Sequence, residues 1–308
     1  MKYAIPKETI LNDGQGYEKK CYLAPSVLNG VVDENYPEYS SSTTYNTGDY
    51  VIVSALKTIY KCAADNVQGV YPPSDPTKWV DFGFINSYRM LAVDEQIGEK
   101  TEGQDIYMEL DFSRSTTIAF INTDFEEVTL QQFDGDGNLV KEVSLQSKDI
   151  SCSSFAQYFL DEAKRKTRII EFNFSWIGTS TLKVQFTGET KIGSMVVGKS
   201  QELGITLYGT TLTFQDKSVV HRDEITGFRK VLRHGNIRVL EAKIATYNSD
   251  FNQIAQKLTQ IVGKNVLWIP TNLDKFSEMI NIAYIEKAPL PINNPKINET
   301  SITLIGVV

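Results

Sequence analysis

A chain of 308 residues is long enough for more than one hydrophobic core, because single cores stop growing at about 250–300 residues. With 41% apolar and 22% charged residues the composition is that of a globular chain rather than a disordered one. No run approaches the roughly 18 apolar residues of a membrane-crossing helix, so no membrane insertion is expected. The formal charge of −7 argues against a sequence-independent grip on nucleic acid, which needs Lys and Arg to neutralise phosphates.

The chain starts MKYAIPKETILNDGQG, without a continuous apolar stretch or a small-residue cleavage site, and so does not read as a secretory signal. Residues 1–38 are polar and punctuated by Gly14, Gly16, Pro25, Gly30 and Pro37, which predicts an extended N-terminal arm.

Residues 39–83 form a compact aromatic cassette. Two strands are predicted, YVIV (50–53) and TIYKC (58–62), joined by SALK, with TGD ahead of the first and the loop QGVYPPSDP behind the second, closing on KWVDFG. So small a unit buries little area, and its aromatics must supply most of its core.

From 84 to 200, DIYMELDF, TTIAFINT, EEVTLQQF, LVKEVSL, RIIEFNF, TLKVQFTG and GSMVVG alternate with period two and are separated by Asp, Gly, Ser and Thr clusters, which predicts a β-sandwich. SSFAQYFLDEAKRK (153–166) reads as a helix opened by Ser153 or Ser154, and the basic run KRKTR (164–168) as its solvated C-terminal end.

Residues 201–308 predict an α+β region. LGITLYGTTLTF and FRKVLRHGNIRVLEAKIATY read as long strands, followed by the helix NSDFNQIAQKLTQIVG and the strands NVLWIP, MINIAYIE and SITLIGVV. Phe251, Ile254, Leu258, Ile261 and Val262 share one helix face, with Asn248 or Ser249 as N-cap and Gly263 just past the end. The expected class is therefore mainly β, with a small three-stranded module, a sandwich and a C-terminal α+β region with one main helix.

Groups that carry chemistry are sparse. Of two histidines, His221 in HRDEI lacks the Asn and the Gly-rich loop of a kinase site, and His234 in RHGN suits a hairpin turn. Cys21, Cys62 and Cys152 are odd in number and widely spaced, which predicts free thiols rather than a disulfide framework or metal site. FDGDGNLV (133–140) places Asp134, Asp136 and Asn138 at alternate positions, but Leu139 and Leu145 stand where a calcium loop needs Gly and Glu, so a hairpin turn is expected. No nucleotide, hydrolase or zinc-protease motif occurs, and no catalytic residue or cofactor is assigned.

The cassette resembles the small carbohydrate-binding modules appended to chitinases, through Thr44, Tyr45, Gly48, Asp49, Val51, Tyr60, Lys61, Cys62, Pro72, Pro73 and Trp79. Where sugar-binding members present an adjacent aromatic pair, this chain has Ala63-Ala64-Asp65. The resemblance then implies Tyr71, Trp79 and Tyr60 as the carbohydrate-binding candidates; Tyr60 and Tyr45 also answer the need for a core, and Trp79 suits either role.

More broadly, residues 40–308 resemble tailed-bacteriophage tail proteins, in which the cassette precedes a Gly-x-x-Asn-x-x-x-Met stretch, here Gly83, Asn86 and Met90 of GFINSYRM. GSMVVGKSQELGITLYGTTLTFQDKS, GFRKVLRHGN, VLWIP and SITLIGVV continue the likeness, with Ser87-Tyr88-Arg89 departing from it. The resemblance implies a non-enzymatic structural component of a tail tip or baseplate, assembled in the host cytoplasm and carried in the virion. Its implied partners are other tail proteins, further copies of itself in a ring, and a bacterial surface glycan. Two other readings stay open, a polysaccharide-active enzyme using paired carboxylates and a stand-alone carbohydrate-binding protein.

Overall fold

The structure is a computed structural model that describes residues 1–92, 100–147, 166–222, 229–232, 236–271, 273–292 and 294–307, with the backbone alone for 220–222, 229–232, 274 and 275. The chain is mainly β and divides into two compact units, Pro6–Gly198 and Met1–Ile5 with Lys199–Val308. The helix expected at 153–166 and Cys152 lie outside the described residues, apart from Lys166, as does His234.

The unit Pro6–Gly198 contains a two-sheet sandwich, built as period-two alternation requires. Glu127–Asp134 buries every second residue of its first six, and it pairs antiparallel with Leu139–Gln146 on one side and Ser180–Thr187 on the other. Thr101–Asp111 follows, flanked by Glu189–Ile192 and by Val27–Val31. Against this sheet lies Thr117–Ile121, buried on both faces between Arg168–Glu171 and residues 194–198. The two layers meet through aromatic rings: Phe120 and Phe186 lie edge to face at 5.2 Å and Phe125 and Phe186 at 5.0 Å, an arrangement favoured by the ring quadrupole. FDGDGNLV is a hairpin turn in which Asp134 Oδ1 accepts the N–H groups of Asp136 and Asn138 and Gly137 takes φ +84°. Arg168, the last residue of the basic run expected to be solvated, is instead buried at the start of its strand.

Residues 1–38 are not one extended arm. Residues 2–4 pair with 267–269 in the second unit's sheet; Glu8–Asn12 and Glu18–Tyr22 form a hairpin; Val27–Val31 joins the sandwich. The last pairing depends on two glycines, since a Cβ on Gly30 would stand 2.5 Å from the Gln104 carbonyl oxygen and one on Gly103 would stand 2.3 Å from that of Gly30.

The other unit holds an antiparallel sheet in the order Lys2–Pro6, Val266–Ile269, Asn281–Lys287, Ile297–Gly306, Asn236–Tyr247, with Ile205–Thr206 and Thr211–Asp216 both pairing to the last. The single long strand expected over LGITLYGTTLTF is thus two, broken at a turn where Gly209 has φ +86°. The helix Phe251–Ile261 buries Ile254, Leu258 and Ile261 in a core with Leu240, Ile244, Trp268 and Ile302. Val262, placed on that face by spacing, is exposed because the chain leaves helical geometry there, with Gly263 at φ +76°. Asn248 and Ser249 do not cap: Asn248–Asp250 is a 3-10 turn, and the Asn248 amide donates to the Asn294 carbonyl at 2.6 Å.

Candidate functional site

The cassette is a three-stranded antiparallel sheet of Tyr50–Val53, Thr58–Cys62 and Trp79–Phe84. Alternation sends Val51, Val53, Tyr60, Cys62 and Trp79 to its inner face, where they pack with Tyr45, Leu56 and Val67. Trp79 is 1% exposed, its indole N–H donates to the Val70 carbonyl at 3.1 Å, and Tyr45 meets it edge to face at 5.2 Å. Tyr60 is 6% exposed. Neither presents a free ring face to a sugar; both are the core that a domain of this size needs.

The remaining signature residues serve the turns. Gly48 takes φ +99°, Asp49 Oδ2 accepts the Asn46 N–H at 2.7 Å, and the Cys62 N–H donates to the Asp49 carbonyl. Asp65, in the Ala-Ala-Asp stretch, accepts the Thr47 N–H at 3.0 Å, and hydrogen bonds from Thr47 hold its carboxyl below the usual range. Tyr71 is half-buried against Tyr17 and Tyr39, and its hydroxyl donates to Asp13 Oδ2 at 2.8 Å. Burial, reinforced by Asp13, pushes the phenol's pKa well up. Tyr60 and Trp79 border one groove of about 320 Å³ with Tyr17, Lys19, Pro72 and Asp81, where Lys19 pairs with Asp81 at 2.9 Å; Tyr71 lies outside this lining.

The outer face carries residues that the sequence reading passed over. Tyr36 and Tyr50 stack with centroids 5.0 Å apart at 18°, Phe82 meets Tyr50 edge on at 5.2 Å, and the Lys61 ammonium lies 5.4 Å from the Tyr50 centroid. Tyr50 is therefore the hub, and the rings left to solvent are Tyr36 at 38% and Phe82 at 47%, beside Val80 at 48%. Backbone geometry fixes the cluster at two points. Residues 37–39 run alongside the first strand, with the Ile52 N–H donating to Pro37 O and the Tyr39 N–H to Ile52 O, which seats Tyr36 on Tyr50. Phe82 is the extra residue of a β-bulge, because Ile59 pairs with Gly83 and Tyr60 with Asp81. Such a bulge re-aims a side chain. The signal available in sequence was the alternation Trp79-Val80-Asp81-Phe82, which turns Val80 and Phe82 away from Trp79.

The Gly83, Asn86, Met90 stretch is a junction of chain segments. The Asn86 side chain donates to Val32 O (2.9 Å) and Glu102 O (2.8 Å) and accepts the Glu102 N–H (2.9 Å). Ser87 donates its N–H and hydroxyl to Asp33, Arg89 pairs with Glu34, and Met90 is fully buried.

Elsewhere, a recess of about 630 Å³ in the second unit, lined in part by Ile205, Tyr247 and Leu273, has its charges engaged internally: Lys2 with Glu202 at 3.7 Å and Lys257 with the Glu202 carbonyl. A glycosidase acid needs a carboxyl held high; Asp13, Asp65, Asp75, Asp111 and Asp134 are all displaced downward. Among the described residues no group of three or more His, Cys, Asp or Glu could hold a metal ion, and no helix is long and apolar enough to cross a membrane. Compared with protein families, curated proteins and solved structures, the chain matches none.

Proposed function

We propose that this chain is a non-enzymatic structural component of a bacteriophage tail tip or baseplate and that its cassette contributes to attachment by binding a host-surface glycan on its outer face. The glycan half of this reading is carried by one observation: two exposed rings, Tyr36 and Phe82, are pre-positioned around Tyr50 by backbone pairing and a bulge. Rigid aromatic anchors of this kind bind at low entropic cost, and aromatic faces suit the C–H face of a pyranose. The tail half rests on the resemblance of the cassette, GFINSYRM and the C-terminal strands to tail proteins. In this reading the partners are other tail proteins and further copies of the chain in a ring.

Two measurements test the halves separately. Native mass spectrometry of the purified chain, with and without tail fractions, yields a ring or a tail-bound species; a chain that stays monomeric and never associates with tails removes the tail reading. Titration with bacterial surface polysaccharides yields saturable binding that Phe82→Ala weakens; no binding to any of them removes the glycan reading.

A further inference from the structure

The outer face has a charge that the rest of the cassette leaves uncompensated. Lys61 stands directly across from Tyr50 in the strand register and next to Val80 on the third strand. Other lysines of the region have acid partners: Lys19 with Asp81 at 2.9 Å and Lys78 with Asp75 at 3.8 Å. Lys57 lies over Tyr88, a ring outside the cluster. The carboxylates that could have turned to Lys61 are committed elsewhere. Glu38 accepts from the Ser54 N–H and hydroxyl, Asp49 from the Asn46 N–H, Asp65 from the Thr47 N–H, and Asp81 from Lys19 and the Gly83 N–H. Among the described residues Lys61 makes only its contact with the Tyr50 ring, worth little at an exposed site. In a chain of net charge −7, this leaves a single cation beside two exposed rings. The hydroxyls of Tyr36 and Tyr50 likewise make no hydrogen bond among the described residues and are open to a ligand.

We infer that the ligand of this face is an acidic pyranose polymer, a polyuronate, whose ring stacks on Tyr36 and Phe82 while its carboxylate binds the Lys61 ammonium. Stacking requires a ring, which a polyol phosphate lacks. The hexuronate carboxylate projects from the ring edge, so an acid beside a stacked ring is within reach of a cation beside the aromatic cluster. A neutral sugar uses the rings and gains nothing from the charge. The charge-assisted contact supplies selection between chemically similar chains.

This inference rests on the glycan reading above, and its test separates the two. The full chain is titrated calorimetrically with cellohexaose and with the matching β-1,4-linked glucuronate hexamer, which differ only in oxidation at C6. The glucuronate hexamer binds about tenfold more tightly, and its affinity falls severalfold between about 20 mM and about 300 mM salt as the screening length shortens and the ion pair weakens. Lys61→Gln removes the preference, Lys61→Arg keeps it, and Phe82→Ala weakens both sugars. Equal affinity for the two hexamers, or a preference that survives Lys61→Gln, overturns the acidic-ligand inference. Host polysaccharide bound without any binding of the glucuronate hexamer overturns it too and leaves the glycan reading standing. If neither the hexamers nor host polysaccharide bind, both fall.

Discussion

The Tyr71 hydroxyl donates a 2.8 Å hydrogen bond to Asp13 Oδ2, fastening the cassette's proline loop to the turn of the hairpin Glu8–Asn12 and Glu18–Tyr22. Tyr71 is thereby a strut, not a free platform. Burial pushes the Asp13 carboxyl up, but the N–H groups of Gln15 and Tyr17 and the Tyr71 hydroxyl outweigh it and hold the group low.

A carboxyl depressed in the folded state stabilises the fold above its unfolded pKa, about 3.9, and that contribution is lost as pH falls through the lower folded value. Tyr71→Phe is expected to cost about 1 kcal/mol at neutral pH and to raise the Asp13 pKa toward the ordinary value. Urea unfolding at neutral and acidic pH, with carboxyl titration by NMR, checks this. An Asp13 pKa unchanged in Tyr71→Phe contradicts the contact.

Trp79 is predicted to matter for stability and not for sugar contact. Trp79→Ala leaves a large cavity in a small core and costs about 3–5 kcal/mol. Trp79→Phe retains most of the packing and leaves glycan affinity within about twofold. Thermal melts paired with glycan titrations decide; a Trp79→Phe protein that melts normally but no longer binds sugar would return Trp79 to the binding site.

Asn86→Ala strips partners from the Val32 and Glu102 carbonyls and the Glu102 N–H at once. Groups left unsatisfied by such a change make it costly, about 2–4 kcal/mol in total. Hydrogen exchange at the Glu102 amide reports the same event locally and should accelerate. An Asn86→Ala protein as stable as its parent would mean that the junction is solvent-bridged.

Burial pushes the Cys21 thiol up to about 11, with its Sγ 3.6 Å from the Thr9 carbonyl oxygen. Because the folded pKa lies above the unfolded one, its stabilising contribution is complete below about pH 8.5 and is lost as pH rises through the folded value. Alkylation at pH 8, followed by peptide mass spectrometry, should leave Cys21 unmodified in the native protein and label it in urea. Labelling at equal rates in both would contradict its burial.

Much of the architecture was legible because exposed-and-buried alternation is local. Glu127–Asp134 and Ser180–Thr187 show their faces in their own residues, as does the helix through Ile254, Leu258 and Ile261. The arm was misread because the partners of its strands are remote: Val27 pairs with Glu109 and Tyr3 with Trp268, and neither relation leaves a mark in residues 1–38. The helix start was misread because Asn248 satisfies the Asn294 carbonyl rather than the helix's own N–H groups. For the site, family-like positions drew attention to Tyr60 and Trp79, which the small core claims. The alternation from Trp79 to Phe82 marks Phe82 as outward, but the seating of Tyr36 depended on a chain segment laid beside a strand and the aim of Phe82 on a one-residue bulge, and periodicity reveals neither of these.

The most direct test of the account is equilibrium binding of the full chain to a panel of bacterial surface polysaccharides, comparing the parent protein with a Tyr36→Ala/Phe82→Ala double variant of unchanged melting temperature. The account predicts saturable binding by the parent and a loss of at least about tenfold in the variant. Equal affinity of the two proteins would contradict it.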